Sequence, residues 1–202
     1  MSYIRKVSLF ICICLSFFST CFAEDVFVAT NHTENHRLLV IVADDGKFNN
    51  QKYQRVSKEI DAGINKIFYR YQIDLLREDG MQKLCDSIGD EDINSPDKIV
   101  RHHLVGLGNK EGYDYIALVY FLPAAPNLDF ANSYFSNRCL NVSMAVKVVD
   151  VKSGRYMYNK IVKSGTVTET TLLWGKADVQ LWYRGVGKCM RILEKDFANM
   201  RN

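Results

Sequence analysis

Apolar and polar residues alternate with a period of two over residues 140–151. One side of an extended backbone there carries five apolar residues, Leu140, Val142, Met144, Val146 and Val148. This period is typical of a β-strand with one buried face. A tight turn at Lys152–Gly154 follows, in which Gly154 can adopt a positive φ. Arg155–Ser164 then returns as a less regular partner strand. The pattern predicts a β-hairpin that forms half of a sheet.

Three further strands are predicted before the hairpin. Arg37–Ala43 is continuously aliphatic, which is typical of a central strand buried on both faces. Gln72–Arg77 is a second, short strand, and Tyr113–Leu122 is a third that is rich in β-branched and aromatic residues. Residues 123–138 show no period and residues 166–174 are rich in threonine, so both segments are predicted to be connections.

Steps of three and four between apolar residues predict the helices. One runs from Tyr53 to Tyr71 and contains Gly63, whose missing side chain we expect to allow a close approach to the sheet. Met81–Ile88 is a short helix, and another extends from its N-cap Ser95 to a frayed end marked by Gly108 and Gly112. The last helix, residues 175–200, has one apolar face, made of Leu181, Trp182, Val186, Cys189, Ile192, Leu193, Phe197 and Met200.

The predicted order of elements is β-α-β-α-α-β-β-β-α. Parallel crossover connections come first and an antiparallel meander follows. We therefore predict an α/β (mixed α+β) fold, with a single mixed β-sheet of about five strands covered by helices. The chain is long enough for one such domain, to which we assign residues 37–202.

Residues 1–23 have the organisation of a secretory signal peptide. A basic start precedes Val7–Phe18, an apolar core of roughly a dozen residues that is too short to span a membrane. Small residues precede Glu24, so we expect cleavage there and a flexible lead over residues 24–36. The alternative is a lipoprotein signal with the lipid on Cys21, although the residues before it match that pattern poorly. We therefore expect an exported protein, periplasmic or secreted, with a lipid anchor as the alternative.

Charge and hydropathy narrow the classes of partner. The formal net charge is +3, and without Arg5 and Lys6 of the leader 24 basic side chains face 23 acidic ones. Such a balance does not favour nucleic acid or an anionic membrane surface as a partner. No second long apolar stretch follows the leader, so no transmembrane segment is predicted for the mature chain.

Three cysteines remain after the leader, and an export compartment permits one disulfide among them. Cys85 with Cys139 is the pairing that we would choose, and three separate buried thiols are the alternative. Cys189 lies on the apolar face of the last predicted helix, so we expect it in the core.

Side chains that can bind metals or catalyse reactions occur without a specific motif. His102 and His103 are adjacent, so on a helix they point about 100° apart and do not form the i, i+4 pair that metal sites use. Asp44, Asp45 and Glu78 end neighbouring strands, where paired carboxylates can perform acid–base chemistry; ordinary turn chemistry is the alternative. We predict no catalytic residue, no metal and no cofactor.

Aromatic residues in the aperiodic segment 123–138 are the candidate binding surface. Phe130, Tyr134 and Phe135 lie among asparagine, serine and aspartate, where an apolar core stripe is not expected. Exposed aromatic side chains are effective anchors for a protein partner. We expect Tyr156 and Tyr158 of the hairpin to extend this surface. The alternative is that the aromatic residues of the segment fold back and cover a sheet edge.

Two short motifs resemble a known family. Gly112–Ile116 follows the pattern G-x-D-Y-hydrophobic, and Val148–Gly154 follows the pattern hydrophobic-x-D-x-x-T/S-G. With the order of elements, these motifs resemble the periplasmic α/β domain of the curli-secretion channel lipoprotein and of the lipoprotein activator of penicillin-binding proteins. That domain is similar to the N-terminal domain of the periplasmic protein of the Tol system. The resemblance covers residues 37–197 and implies a non-enzymatic envelope protein that docks to another protein.

The sequence therefore favours a secreted or periplasmic protein-binding domain that serves as an assembly or regulatory factor of the cell envelope. One alternative is an exported hydrolase that uses the strand-end carboxylates, which would require a deep pocket holding two of them. The other alternative is a secreted effector that acts on a host.

Overall fold

A computed structural model describes residues 36–44, 47–89, 95–130, 135–172 and 178–200. Within these ranges one sheet contains the strands β1 (Arg37–Ala43), β2 (Gln72–Leu76), β3 (Tyr115–Phe121), β4 (Asn127–Phe130), β5 (Phe135–Asp150) and β6 (Arg155–Leu172). The α-helices are α1 (Gln54–Ile67), α2 (Glu78–Ile88), α3 (Arg101–Glu111) and α4 (Asp178–Asn199). Short 3₁₀ turns occupy Lys47–Asn49, Gln51–Tyr53 and Pro96–Lys98.

The sheet is parallel on one side and antiparallel on the other. β1 lies between β2 and β3 and is parallel to both. β3 pairs antiparallel with residues 144–150 of β5, and β4 pairs antiparallel with residues 136–139 of β5. β6 pairs antiparallel with β5 along almost its whole length. This mixed sheet with covering helices confirms the predicted fold class, and β4 adds a strand to the segment that was predicted to be aperiodic.

Alternate residues of β1 face two apolar layers. Leu38, Val40 and Val42 face the first layer, which α1 and α4 complete. Leu39 and Ile41 face the second layer, which α2 and α3 complete. These five side chains are at most 1% exposed, which confirms the prediction of a central strand buried on both faces. Full burial of one such side chain contributes about 1.5–3 kcal/mol, so β1 is a major source of stability.

β5 keeps the predicted alternation, but its partner β6 does not. Two register shifts interrupt the β5–β6 ladder, one between Asn141 and Ser143 and one between Val148 and Val149. Because an extra residue in one strand reverses the direction of the side chains beyond it, each shift turns part of β6 over. β6 also continues to Leu172, through residues that were predicted to form a connection.

Polar side chains stabilise the first of these shifts. Gly165 has a φ of 65°, which glycine adopts without steric cost. Ser164 Oγ accepts a hydrogen bond from Val142 N at 3.0 Å and donates one to Gly165 O at 2.6 Å. Cys189 Sγ of α4 donates to Val142 O at 3.5 Å. The irregular backbone is therefore hydrogen-bonded from the strand itself and from the helix above it.

The three cysteines of the domain are free thiols, so the expected Cys85–Cys139 disulfide is not formed. Cys189 is fully buried, as predicted, whereas Cys85 and Cys139 are half-buried. Burial raises the pKa of Cys189 to about 12. This thiol therefore stays protonated at neutral pH and acts as a hydrogen-bond donor, not as a nucleophile.

Two features of the helices differ from the sequence-based expectations. Gly63 approaches α4 instead of the sheet, because a Cβ atom there would lie 2.9 Å from Met190 Cγ. Ile192 and Met200, which were assigned to the apolar face of the last helix, are 39% and 49% exposed. Ile192 lies beside the buried stripe, about 100° around the helix from Leu193, and Met200 follows the end of α4.

A buried lysine fixes the segment before α3. Lys147 of β5 is 9% exposed, and its Nζ donates hydrogen bonds to Pro96 O at 2.6 Å and Ile99 O at 2.7 Å. Burial lowers the pKa of this ammonium group, against a smaller opposing effect of Asp97. Ser95 Oγ accepts a hydrogen bond from Asp97 N, as expected of a cap, but it caps the short 3₁₀ turn ahead of α3.

Candidate functional site

The aromatic segment belongs to the end of a three-stranded arm, which we define as residues 127–130, 135–141 and 166–172. β4 pairs with the start of β5 up to Phe130, which lies opposite Ser136. Phe135 of β5 lies opposite Leu172 of β6. Phe130 and Phe135 therefore lie on either side of the short connection between β4 and β5. Tyr134 and the side chains of both phenylalanines lie outside the described residues.

Contacts with α4 hold the arm in place. Arg138 Nη1 donates to Asp178 Oδ1 at 2.7 Å. Arg184 Nη1 of α4 donates to Glu169 Oε2 at 2.6 Å and to Thr168 O at 3.0 Å. Leu140 and Val167 of the arm are buried in the first layer. Because ion pairs with partial solvent access contribute only about 1 kcal/mol or less, apolar packing attaches the arm and the ion pairs orient it.

Tyr156 and Tyr158 do not form one surface. The register shift after Val148 places Tyr156 opposite Val149 and Tyr158 opposite Val148, so the two rings lie on opposite faces of the sheet. Tyr156 packs against the second layer, whereas Tyr158 is 3% exposed in the first layer. Burial, with the hydrogen bond that its hydroxyl donates to Asp196 at 2.7 Å, raises the pKa of Tyr158. Tyr158 therefore attaches β6 to α4 and is not part of an exposed aromatic surface.

Asp44 is engaged in a buried network at the end of β1. Its side chain is 2% exposed and its Oδ2 lies 3.5 Å from Arg77 Nη1. The same oxygen accepts a hydrogen bond from Phe48 N at 3.3 Å. Arg77, the residue after β2, also donates from Nη2 to Asp61 of α1 at 2.6 Å. Through Arg77, Asp44 thus links the ends of β1 and β2 to α1. This arrangement supports the structural role at a strand end over acid–base chemistry.

The adjacent histidines His102 and His103 lie in the first turn of α3. Their ring centroids lie 4.0 Å apart, and His103 Nδ1 accepts a hydrogen bond from Val100 N at 3.4 Å. Burial, and secondly the charge of His102, lowers the pKa of His103. His103 therefore helps to cap the helix. Within the parts of the chain that the structure describes, no three His, Cys, Asp or Glu side chains are placed to hold a metal ion.

The G-x-D-Y motif fastens the start of β1. Arg37 N donates to Asp114 Oδ2 at 2.8 Å, and Asp114 N donates to Arg37 O at 3.0 Å. The Arg37 guanidinium lies 4.5 Å above the Tyr113 ring, and the Tyr113 hydroxyl donates to Asp74 Oδ2 at 2.7 Å. Gly112 is the C-cap of α3 with a φ of 73°. The motif thus joins α3, β1 and β2, which is a structural role.

We expect Tyr113→Phe to raise the pKa of Asp74 towards its ordinary value. The Tyr113 hydrogen bond is the main cause that lowers this pKa, burial opposes it, and Arg37 adds to the lowering. A carboxyl whose pKa is lowered by folding stabilises the fold above about pH 4, and this contribution is lost as the pH falls through the folded pKa. The variant should therefore be less stable than wild type at neutral pH, with a smaller difference in acid.

An NMR titration of the Asp74 carboxyl, with urea unfolding at neutral and acidic pH, measures both quantities. Tyr156→Phe on β6 is the matched control, and it should leave the titration of Asp74 unchanged. An Asp74 pKa that is the same in wild type and Tyr113→Phe would show that this hydrogen bond does not control the carboxyl.

Open depressions occur on the surface of the described residues. One of about 420 Å³ is lined by Phe48, Asn50, Gln51, Gln54 and Ser57. Another, of about 320 Å³, is lined by Lys66, Ile67, Tyr69, Glu194 and Ala198. Neither lining includes the carboxylates on which the hydrolase alternative depends. Of those, Asp44 is buried beside Arg77, while Asp45 and the side chain of Glu78 lie outside the described residues.

None of the helices in the described ranges combines the length and the apolar character needed to cross a bilayer.

The sequence matches no protein-family model and no curated protein. Its fold is similar to that of several solved bacterial lipoproteins. A lipoprotein from Neisseria meningitidis is 13% identical with a TM-score of 0.40, and the match covers 81% of this chain and 99% of that one. The rare lipoprotein B from Shewanella oneidensis is 5% identical with a TM-score of 0.42, and the match covers 82% and 100%.

The C-terminal domain of LpoB from Salmonella enterica is also similar, at 11% identity and a TM-score of 0.34, over 67% of this chain and 84% of that domain. At these identities and TM-scores the similarity concerns the general architecture, and it carries no conclusion about function.

Proposed function

We propose that this protein is an exported, non-enzymatic domain that binds a protein partner in the bacterial cell envelope, as an assembly or regulatory factor. Residues 1–23 direct the export, with cleavage before Glu24 as the proposed processing and lipidation of Cys21 as its alternative. The family resemblance of the two motifs supports this proposal. In the fold the first motif leads from α3 into β3 and holds the start of β1, and the second forms the β5–β6 turn. Both motifs therefore maintain the scaffold and leave binding to other parts of the chain.

The observation that carries the proposal is the geometry of the arm. β4 and β5 bring Phe130 and Phe135 to the two sides of one short connection. The base of the arm packs on α4 through Leu140 and Val167, and the ion pairs of Arg138 and Arg184 orient it. A pair of aromatic residues at the end of a fixed strand pair is a suitable anchor for a protein partner, since little conformational freedom is lost on binding. We therefore propose Phe130, Tyr134 and Phe135 as the partner-binding residues, with Tyr156 at most peripheral.

A capture experiment with envelope extract tests this function. We expect wild type to retain at least one envelope protein, and Phe130→Ala/Phe135→Ala to retain about ten-fold less of it, because truncating aromatic anchors removes most of the binding energy. Tyr69→Ala is the matched control, since Tyr69 is an aromatic residue that is 58% exposed and follows α1. Circular dichroism and thermal unfolding verify that all three proteins are folded.

Two results would count against the proposal. Equal capture by wild type and the double variant would remove the aromatic residues of the arm as the binding surface. Equal capture by wild type, the double variant and a protein of unrelated fold would remove specific protein binding itself.

A further inference from the structure

β6 forms an outer edge of the sheet in its antiparallel half. β6 is paired with β5 on one side, and within the described residues no strand pairs with its other side. Two parts of this edge have different surroundings. In the part beyond the first register shift, residues 166–172, Arg184 Nη1 of α4 donates to Thr168 O at 3.0 Å, and Lys188 Nζ donates to Thr166 O at 3.3 Å. The part nearer the β5–β6 turn, which we call the β6 edge, comprises residues 155–163.

The direction of the peptide groups on the β6 edge follows from the ladder on the other side of β5. Leu122 N donates to Ser143 O at 2.9 Å, so Ser143 directs its peptide groups towards β3. In an antiparallel strand, residues two apart share this direction, so Ala145 does the same. Their partners on β6 are Lys163 and Ile161, which therefore direct their N–H and C=O groups away from β5. Among the described strands none uses these groups, which leaves them directed towards a further strand.

The side chains of the β6 edge combine positive charge with exposed apolar area. Arg155, Lys160 and Lys163 lie within it, and no acidic residue occurs from Arg155 to Thr168. Lys160 is paired with Asp196 at 3.3 Å, whereas no described carboxylate is paired with Lys163. Ile161 is 55% exposed and Met157 is 42% exposed. An exposed isoleucine between lysines is unfavourable in water and becomes favourable when a neighbouring strand covers it.

We propose that the β6 edge binds an extended, acidic segment of a partner protein, which adds to the sheet as a strand next to β6. The free peptide groups of Ile161 and Lys163 supply the backbone hydrogen bonds of this added strand, and apolar residues of the segment cover Ile161. Lys163, which no described carboxylate pairs, selects glutamate or aspartate in the segment. A second copy of this chain is the less suitable occupant, because edge-to-edge pairing would bring the same basic side chains together.

This binding site rests on the proposed function in one respect, that the physiological partner is a protein. It is separate from the aromatic residues of the arm, so the two surfaces can be tested independently. The probe is a fluorescein-labelled peptide of alternating glutamate and valine, and its control is the same peptide with lysine in place of glutamate. Fluorescence anisotropy measures binding, and salt should weaken it because exposed charges are screened.

We expect saturable binding of the glutamate peptide and none of the lysine peptide. Ile161→Pro removes the outward N–H, which the β5–β6 ladder does not use, and should weaken binding about ten-fold while the protein remains folded. Ile161→Thr keeps that N–H and should weaken binding less. Lys163→Glu should weaken binding to a similar extent as the proline variant, and Lys58→Glu on the exposed face of α1 is the charge control.

The outcomes separate the alternatives. Binding that survives in Ile161→Pro, or that Lys58→Glu weakens as much as Lys163→Glu, would overturn the proposal, because binding would then reflect general charge attraction. Sedimentation that shows a dimer of wild type but not of Ile161→Pro would make a second copy the occupant and would also overturn it. Phe130→Ala/Phe135→Ala should bind the peptide like wild type, because its substitutions lie outside the β6 edge. If wild type does not bind the peptide, the β6 edge proposal fails, and the capture experiment still tests the arm separately.

Discussion

Trp182→Ala is expected to lower the free energy of unfolding by about 3–5 kcal/mol, the usual cost of truncating a buried tryptophan. Trp182 of α4 is 2% exposed in the first layer. Its ring packs edge-on against Phe48 with centroids 5.4 Å apart, and Lys47 Nζ lies 3.7 Å from its centroid. Loss of the indole therefore leaves a cavity and also removes the link between α4 and the turn that follows β1.

Urea unfolding followed by circular dichroism measures this difference. Ile192→Ala on the same helix is the matched control, because Ile192 is 39% exposed and its truncation should cost about 1 kcal/mol or less. Trp182→Phe should lie between wild type and alanine, since a smaller aromatic ring fills part of the space. An equal loss of stability in Ile192→Ala and Trp182→Ala would contradict the assignment of Trp182 to the centre of this layer.

Gly106→Ala and Gly108→Ala are expected to have opposite effects although both replace glycine in α3. A Cβ atom at Gly108 would lie 2.4 Å from Val151 Cγ2 and 3.2 Å from Ile116 Cγ1. Because valine is stiff at χ1, the clash is relieved only by shifts of the strands, at a cost of about 1–3 kcal/mol. Apart from the backbone of α3 itself and the two neighbouring residues, no described atom lies within 4 Å of a Cβ at Gly106. Alanine there should therefore stabilise the protein by about 1 kcal/mol through helix propensity.

Thermal and urea unfolding of the two variants give the sign of each effect. Adding Val151→Ala tests the cause, because removing the obstructing methyl groups should make Gly108→Ala less unfavourable than it is in wild type. The combination of Gly106→Ala with Val151→Ala should be additive, since that pair has no contact. A Gly108→Ala variant as stable as Gly106→Ala would show that α3 can move away from the sheet without cost.

The glycines of α3 also show which structural roles a sequence pattern can indicate and which it cannot. The sequence predicts that Gly108 lies at the frayed end of a helix, yet Gly108 is buried and α3 continues to Glu111. The glycine is needed at a contact with Val151, which is far away in sequence, and no local pattern records such a contact. Gly112, by contrast, has the positive φ of a helix C-cap, which its local context indicates.

In the candidate site, too, some features are visible in the sequence and others depend on the tertiary structure. The aromatic composition around Phe130 and Phe135 is visible in the sequence, but the pairing of β4 that brings them to one connection is not, because β4 has only four residues. Tyr156 and Tyr158 are two residues apart, which in a regular strand means one face. The bulge between them is stabilised by packing on both layers, so it could not be inferred from the spacing.

The amino-acid pattern alone was sufficient for the alternation of β5, the double burial of β1 and the mixed α/β architecture. These features depend on how hydrophobicity is distributed within one segment, and a segment of the chain carries that information by itself. The three-dimensional arrangement was needed for the register shifts of β6, the burial of Tyr158 and Lys147, and the open β6 edge. Each of these depends on which distant segments become neighbours, and on how their backbone groups share hydrogen bonds once they meet.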